Sequence, residues 1–197
     1  MRVRPIAVLA VLLVAGLPVL AQAPAKHDAH HASADRDHKV KGGALPSGWR
    51  ARTDNASAKI KDAHFAAMGT GYHVTSGPAA IYWNPKDRMS RKFTATATFT
   101  QMKAPTHPEA YGLVFGGNNL DTPKQSYVYV LVRGDGKMLV NHRAGADVHK
   151  IIDWTANAAV NKEGADGKAT NTIAVDATRS DSVRVMINGK PVAALEY

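Results

Sequence analysis

The segment KFTATATFTQM, residues 92–102, decides the fold. Phe93, Ala95, Ala97 and Phe99 alternate with Thr94, Thr96, Thr98 and Thr100, so an extended chain turns its apolar groups to one face and its hydroxyls to the other. A helix would scatter those threonines around its circumference and cost each of them χ1 freedom. The period of two therefore reads as a half-buried antiparallel strand. Working outward, short runs of similar character occur at residues 49–53, 58–65, 72–75, 79–83, 111–115, 126–133, 138–143, 148–154, 172–175, 182–187 and 191–195, separated by the breakers GTG, SGP, NPKD, GGNN, RGDG and NG.

Two hairpins stand out. In SYVYVLVRGDGKMLVNHR the glycines of RGDG can supply the positive φ that tight loops require, and in VRVMINGKPVAAL the pair Asn188-Gly189 separates two apolar runs. The stretch TANAAVNKEGADGK, residues 155–168, has glycines and no period, and is expected to be a long loop with one turn at most. Many short strands, frequent turns and almost no helical period predict an all-β antiparallel sandwich or barrel, with the sandwich preferred.

The 197 residues, 45% of them hydrophobic, suffice for the core of one domain. With no cysteine, disulfides, thiolate zinc sites, iron–sulfur clusters and cysteine nucleophiles are all excluded. The formal charge is +9. Residues 1–21 read as a secretory signal, with Arg2 and Arg4 as a basic start, an apolar run from Ile6 to Leu20, and Ala21 as the preferred last residue before cleavage. Removing them leaves 23 basic residues against 16 acidic, a balance of +7. That excess favours anionic surfaces in general; the lysines are not interleaved with aromatics, so no nucleic-acid partner is expected. The apolar run is short for a span, so a secreted or periplasmic protein without a transmembrane anchor is expected.

Residues 22–46 form a polar leader carrying His27, His30, His31 and His38 among Asp28, Asp35 and Asp37. Such a segment buries too little to order itself and holds no ligands at fixed geometry, so it reads as a spacer before a sandwich domain at 47–197.

Beyond the pattern there is a resemblance. SYVYVLVRGDGKMLVNHRAG followed by DSVRVMINGKPV resembles the core of concanavalin-like jelly rolls, which include laminin-G-like domains and bacterial lectins and glucanases. GYHVTSGPAAIYWNP, EAYGLVFGGNNLD and QSYVYVLVRGDGK are similar to exported bacterial proteins near the 3-keto-disaccharide-hydrolase-like domains. The resemblance covers residues 48–197 and implies a jelly-roll sandwich that binds or hydrolyses a glycan. It also implies a closing strand after the Asn-Gly-Lys hairpin, and whether the domain at 47–197 lacks that final strand stays open. The strand of alternating Glu and Asp that marks glucanases is absent, and Glu109, Glu163 and Glu196 stand apart from one another in sequence.

Sugar binding asks for an aromatic platform and for amide, carboxylate or guanidinium groups on the hydroxyls. IYWNP offers Tyr82, Trp83 and Asn84; YGLVFGGNNLD offers Tyr111, Asn118, Asn119 and Asp121; Arg133 and Arg143 complete the candidate ligand-binding set. Leu139 and Asn141 share a strand face with Arg143, whereas His142 shares the other with Met138 and Val140 and reads as a core histidine. Trp83 and Trp154 compete for places in the core, and Asp135 belongs to the hairpin turn. A hydrolase would need two facing carboxylates, for which Glu109, Asp121, Asp135 and Asp153 are the candidates. No catalytic residue, metal site or cofactor is assigned, and a calcium requirement stays open. The expected function is non-covalent binding of a carbohydrate or related envelope or extracellular polymer. A keto-glycoside-hydrolase-type enzyme and a structural domain without a small ligand are the alternatives.

Overall fold

A computed structural model of the chain describes residues 42–89 and 92–196. Residues 1–21, read above as a secretory signal, and nearly all of the expected leader lie outside the described residues. Twelve strands are described, joined by one 3-10 turn at Ile60–Asp62. They are β1 (Arg50–Thr53), β2 (His64–Met68), β3 (Gly71–Thr75), β4 (Ala80–Trp83), β5 (Thr94–Gln101), β6 (Ala110–Asn118), β7 (Ser126–Arg133), β8 (Lys137–Ala144), β9 (Asp147–Ala156), β10 (Ala169–Asp176), β11 (Ser182–Ile187) and β12 (Lys190–Glu196). Every pairing is antiparallel. Among the described residues no helix is long and apolar enough to cross a membrane.

Two four-stranded sheets, in the orders β12-β11-β10-β5 and β6-β7-β8-β9, turn their apolar faces to one another. Val130, Val132, Met138 and Val140 from the second meet Ile173, Val185 and Ile187 from the first, all but excluded from water, with Phe99, Leu113 and Phe115 packed against them. Each such side chain stabilises the fold by about 1.5–3 kcal/mol relative to exposure. The chain is thus an antiparallel β-sandwich. The threonine face of β5 lies outside, where Thr98 and Thr100 hydrogen-bond Thr172 and Thr170 across the strand pair at 2.8 and 2.9 Å.

Local chemistry explains the hairpins. Asn188 (φ 50°) and Gly189 (φ 77°) both occupy the left-handed region, as a two-residue type I′ turn requires. In the β7–β8 turn Asp135 Oδ1 accepts the Lys137 N–H at 3.2 Å and the Gly136 N–H reaches the Arg133 carbonyl at 3.0 Å. The loop after β9 carries turns and no helix. It is tied down by Asn171, fully buried on β10, whose Oδ1 accepts from Asn161 N and Asn188 Nδ2, both at 2.8 Å.

Two segments differ from the sequence expectation. Residues 58–65 were expected to be one strand, but the Ala63 N–H turns back to the Ile60 carbonyl at 2.9 Å and β2 begins only at His64. Backbone pairing also reaches back into the segment assigned to the leader: Gly43 exchanges hydrogen bonds with Phe65 at 2.8 and 3.1 Å.

The β10–β11 turn sets the response to acid. Asp176 accepts from the hydroxyl and backbone N–H of Thr178 and from Arg184, and its carboxyl is held down at about 2. Asp181, bonded by Arg179 and by the Ser182 hydroxyl, is likewise held at about 2. Carboxylates whose folded pKa lies below the unfolded value of about 4 add stability above that value, and it is lost as the pH falls toward 2. Thermal melts at pH 5, 3 and 2 should show the midpoint dropping across this window. The drop should be shallower in the double variant Asp176→Asn, Asp181→Asn, and an identical profile would refute the assignment.

Candidate functional site

The outer face of β6-β7-β8-β9 is built by the same period of two that fills the core. With Val128, Val130 and Val132 turned inward, Tyr127, Tyr129, Leu131 and Arg133 point outward from β7. Their partners across the ladder on β8 are Arg143 for Tyr127, Asn141 for Tyr129 and Leu139 for Leu131. An outward face of a sandwich is ordinarily solvated. Here Tyr127, Leu139 and Asn141 retain only 4, 6 and 7% of their exposure, and none of them belongs to the core between the sheets.

The stripe is polar at its centre and cationic at both ends. Arg143 bonds Asp54 at 3.3 Å and donates to the Tyr127 hydroxyl. Burial opposes its charge, but Tyr127 and Asp54 outweigh that and hold its pKa above the ordinary value. Burial pushes the Tyr127 hydroxyl up, and the nearby Asp54 charge adds to the effect. The Tyr127 and Tyr129 rings are 5.7 Å apart, and Asn141 Nδ2 donates to the Tyr129 hydroxyl at 3.1 Å. Asn141 Oδ1 is buried with no partner. Exchanging the amide N and O leaves the other atom unmatched, so either assignment buries one unsatisfied polar atom. At the far end Arg133 lies 4.4 Å over the Trp154 ring and forks onto Asp135. Hydrogen bonding to Arg133 keeps the Asp135 carboxyl below the ordinary range.

The predicted residues are distributed unevenly around this face. Arg133 and Arg143 are on it. Trp83 is opposite Arg50 in the β1–β4 ribbon, and Arg50 bonds Asp121 at 3.0 Å. Arg50, Arg52 and Asp54 alternate along the chain and meet, in turn, Asp121, the Thr122 carbonyl and Arg143. The ribbon thereby joins Trp83 and the loop of Asn118, Asn119 and Asp121 to the Arg143 end of the stripe. Asn119 has φ 51° in that loop, and Asn118 Nδ2 donates to the Gly116 carbonyl. Tyr82, one residue before Trp83, points the other way, onto Phe65 with ring centroids 5.3 Å apart. Asn84 caps its own turn through the Lys86 N–H. Tyr111 faces inward, 5.7 Å from Phe99, with its hydroxyl bonded by Asn171. His142 lies on the inner side, as expected from its neighbours, and its Nε2 is 3.0 Å from Ser126 Oγ.

Sequence reasoning missed Tyr127, Tyr129, Asn141 and Trp154 as members of one surface. The available signal was Asn141, an amide directly after the apolar run MLV and on the Arg143 face. Among the described residues no group of three or more His, Asp or Glu could hold a metal ion. The carboxylates are dispersed: Asp121 pairs with Arg50, Asp153 with Lys150 and Glu109 with His107. A shallow groove of about 660 Å³ lies elsewhere, bordered by Leu45, Trp49, Ile60 and His64, away from the stripe. Neither the known protein families, nor the curated proteins, nor the solved structures include a match to this chain.

Proposed function

We propose that the chain is an exported domain that binds a carbohydrate or related envelope polymer non-covalently, on the outer face of β6–β9. The observation that carries this reading is Asn141. An amide atom buried without a partner costs about 1–3 kcal/mol, which a sequence optimised for stability alone would avoid with an apolar residue. A sugar hydroxyl would satisfy it once a side chain covering the amide turns aside, between two tyrosines and with an arginine at either end. The signal-like residues 1–21 and the resemblance to concanavalin-like jelly rolls support the same reading by analogy.

The hydrolase alternative is less well supported. Asp54 and Asp135 are bound to Arg143 and Arg133, at ends of the stripe six residues apart along β7, roughly 20 Å. Glycoside hydrolysis usually wants two carboxyls about 5–10 Å apart.

The test is a glycan array with the purified chain, followed by titration of the best ligand against Asn141→Leu. The variant should fold at least as stably as the parent, because it removes the unmatched amide, and should bind at least tenfold more weakly. Unchanged affinity, or an array with no ligand, would overturn the reading.

A further inference from the structure

Across the β8–β9 ladder His142 and His149 are direct partners, and their rings stack with centroids 5.7 Å apart and planes 23° from parallel. His142 is half-buried and His149 exposed. The pair lies on the opposite side of the sheet from the stripe, so nothing in the binding reading uses it. The pair sets two imidazoles side by side on a rigid ladder rather than on a loop.

The surroundings favour a cation. Ser126 Oγ is 3.0 Å from His142 Nε2. With that Nε2–H donating to the hydroxyl, the Nδ1 lone pair is left for a metal, which is the outer-shell arrangement that fixes the tautomer of a ligating imidazole. Lys150, next to His149 in the chain, is turned to the other face of the sheet. Imidazole nitrogens suit late first-row divalent ions, and two of them on one ion of about 2 Å bond length stand roughly 3 Å apart, so the exposed His149 ring must turn out of the stacked arrangement to close the pair on a metal.

We propose that His142 and His149 form a two-histidine site for a late first-row divalent cation such as Ni²⁺, Cu²⁺ or Zn²⁺, with water in the remaining positions and Ser126 as the outer-shell acceptor. The leader histidines, His27, His30, His31 and His38, complicate any simple count of bound metal. Stability separates the two sources. A ligand stabilises the folded state only if it binds that state better than the unfolded one. The His142–His149 pair exists only in the folded sheet, and His149→Gln removes it while leaving the leader histidines in place.

The experiment is thermal unfolding of the full chain with Ni²⁺, with Mg²⁺ as the oxygen-preferring control. Ni²⁺ should raise the midpoint of the parent by several degrees. It should not raise that of His149→Gln, whose substituted side chain is exposed, and Mg²⁺ should raise neither. No shift with Ni²⁺ in the parent would overturn the proposal, as would an equal shift in His149→Gln.

Discussion

Asn171→Leu is expected to lower the unfolding free energy by about 3–5 kcal/mol, a large fraction of an ordinary domain's stability. Asn171 is fully buried, and both ends of its amide are used. Its Oδ1 accepts from Asn161 N and Asn188 Nδ2; its Nδ2 donates to the Asn161 carbonyl at 3.2 Å and the Tyr111 hydroxyl at 3.3 Å. Leucine keeps the branched shape but is larger, so overpacking adds to the cost of the groups left behind. The part-buried Asn161 N–H loses its acceptor, and Tyr111 loses its donor at the core boundary. Asn188 is affected less, because its Nδ2 retains the Ala159 carbonyl at 2.8 Å and its Oδ1 the Thr172 N–H. Urea unfolding of Asn171→Leu, Asn188→Gly and the double variant would show strong coupling between the two positions. A loss below about 1 kcal/mol for Asn171→Leu would mean that water replaces the network without penalty.

That network marks where sequence reading runs out. The strands were legible because alternation is a local property: Thr94 to Thr100, the β7–β8 hairpin and the Asn188-Gly189 turn each announce themselves within a few residues. Asn171 lies in the run TNTIAV, where an asparagine among threonines looks like a solvent-facing residue. Only folding brings Asn161, Asn188 and Tyr111 around it, the last from 60 positions away. The same limit applies to the candidate site. Period two already separated Arg143 and Asn141 from His142, and it also implied that Tyr82 and Trp83 point apart, which a cluster built from adjacent letters overlooks. What alternation does not carry is how deeply an outward face is covered. Tyr127 and Arg143 gain their burial partly from Asp54, a residue of the loop after β1 about 70 to 90 positions earlier, and no local pattern foretells that docking.

Gly112→Ala carries the second large effect, expected at about 3 kcal/mol. A Cβ at position 112 would stand within bonding range of the Val130 carbonyl oxygen and 2.9 Å from the Val130 carbonyl carbon. Both atoms belong to the backbone of the neighbouring strand, so no rotamer change relieves the contact. Either β6 lifts from β7 or β7 itself moves. β6 is an edge strand, which makes the first route cheaper, but Tyr111 and Leu113 on either side of Gly112 are packed against the core and would be drawn out with it. Overpacking of this kind costs about 1–3 kcal/mol, and partial loss of two apolar contacts raises the total. Gly117→Ala is the matched control, since the atoms nearest its added methyl belong to the Leu120 side chain, which can turn away. Urea unfolding should show the large loss only at position 112, and amide exchange should show protection lost first along β6. If both variants unfold alike, the close approach of Gly112 to β7 is not a feature of the folded protein. If Gly112→Ala also weakens ligand binding beyond what its stability loss explains, β6 helps hold the outer face in shape, because Gly112 lies directly opposite Leu131 beside the Tyr129–Asn141 pair.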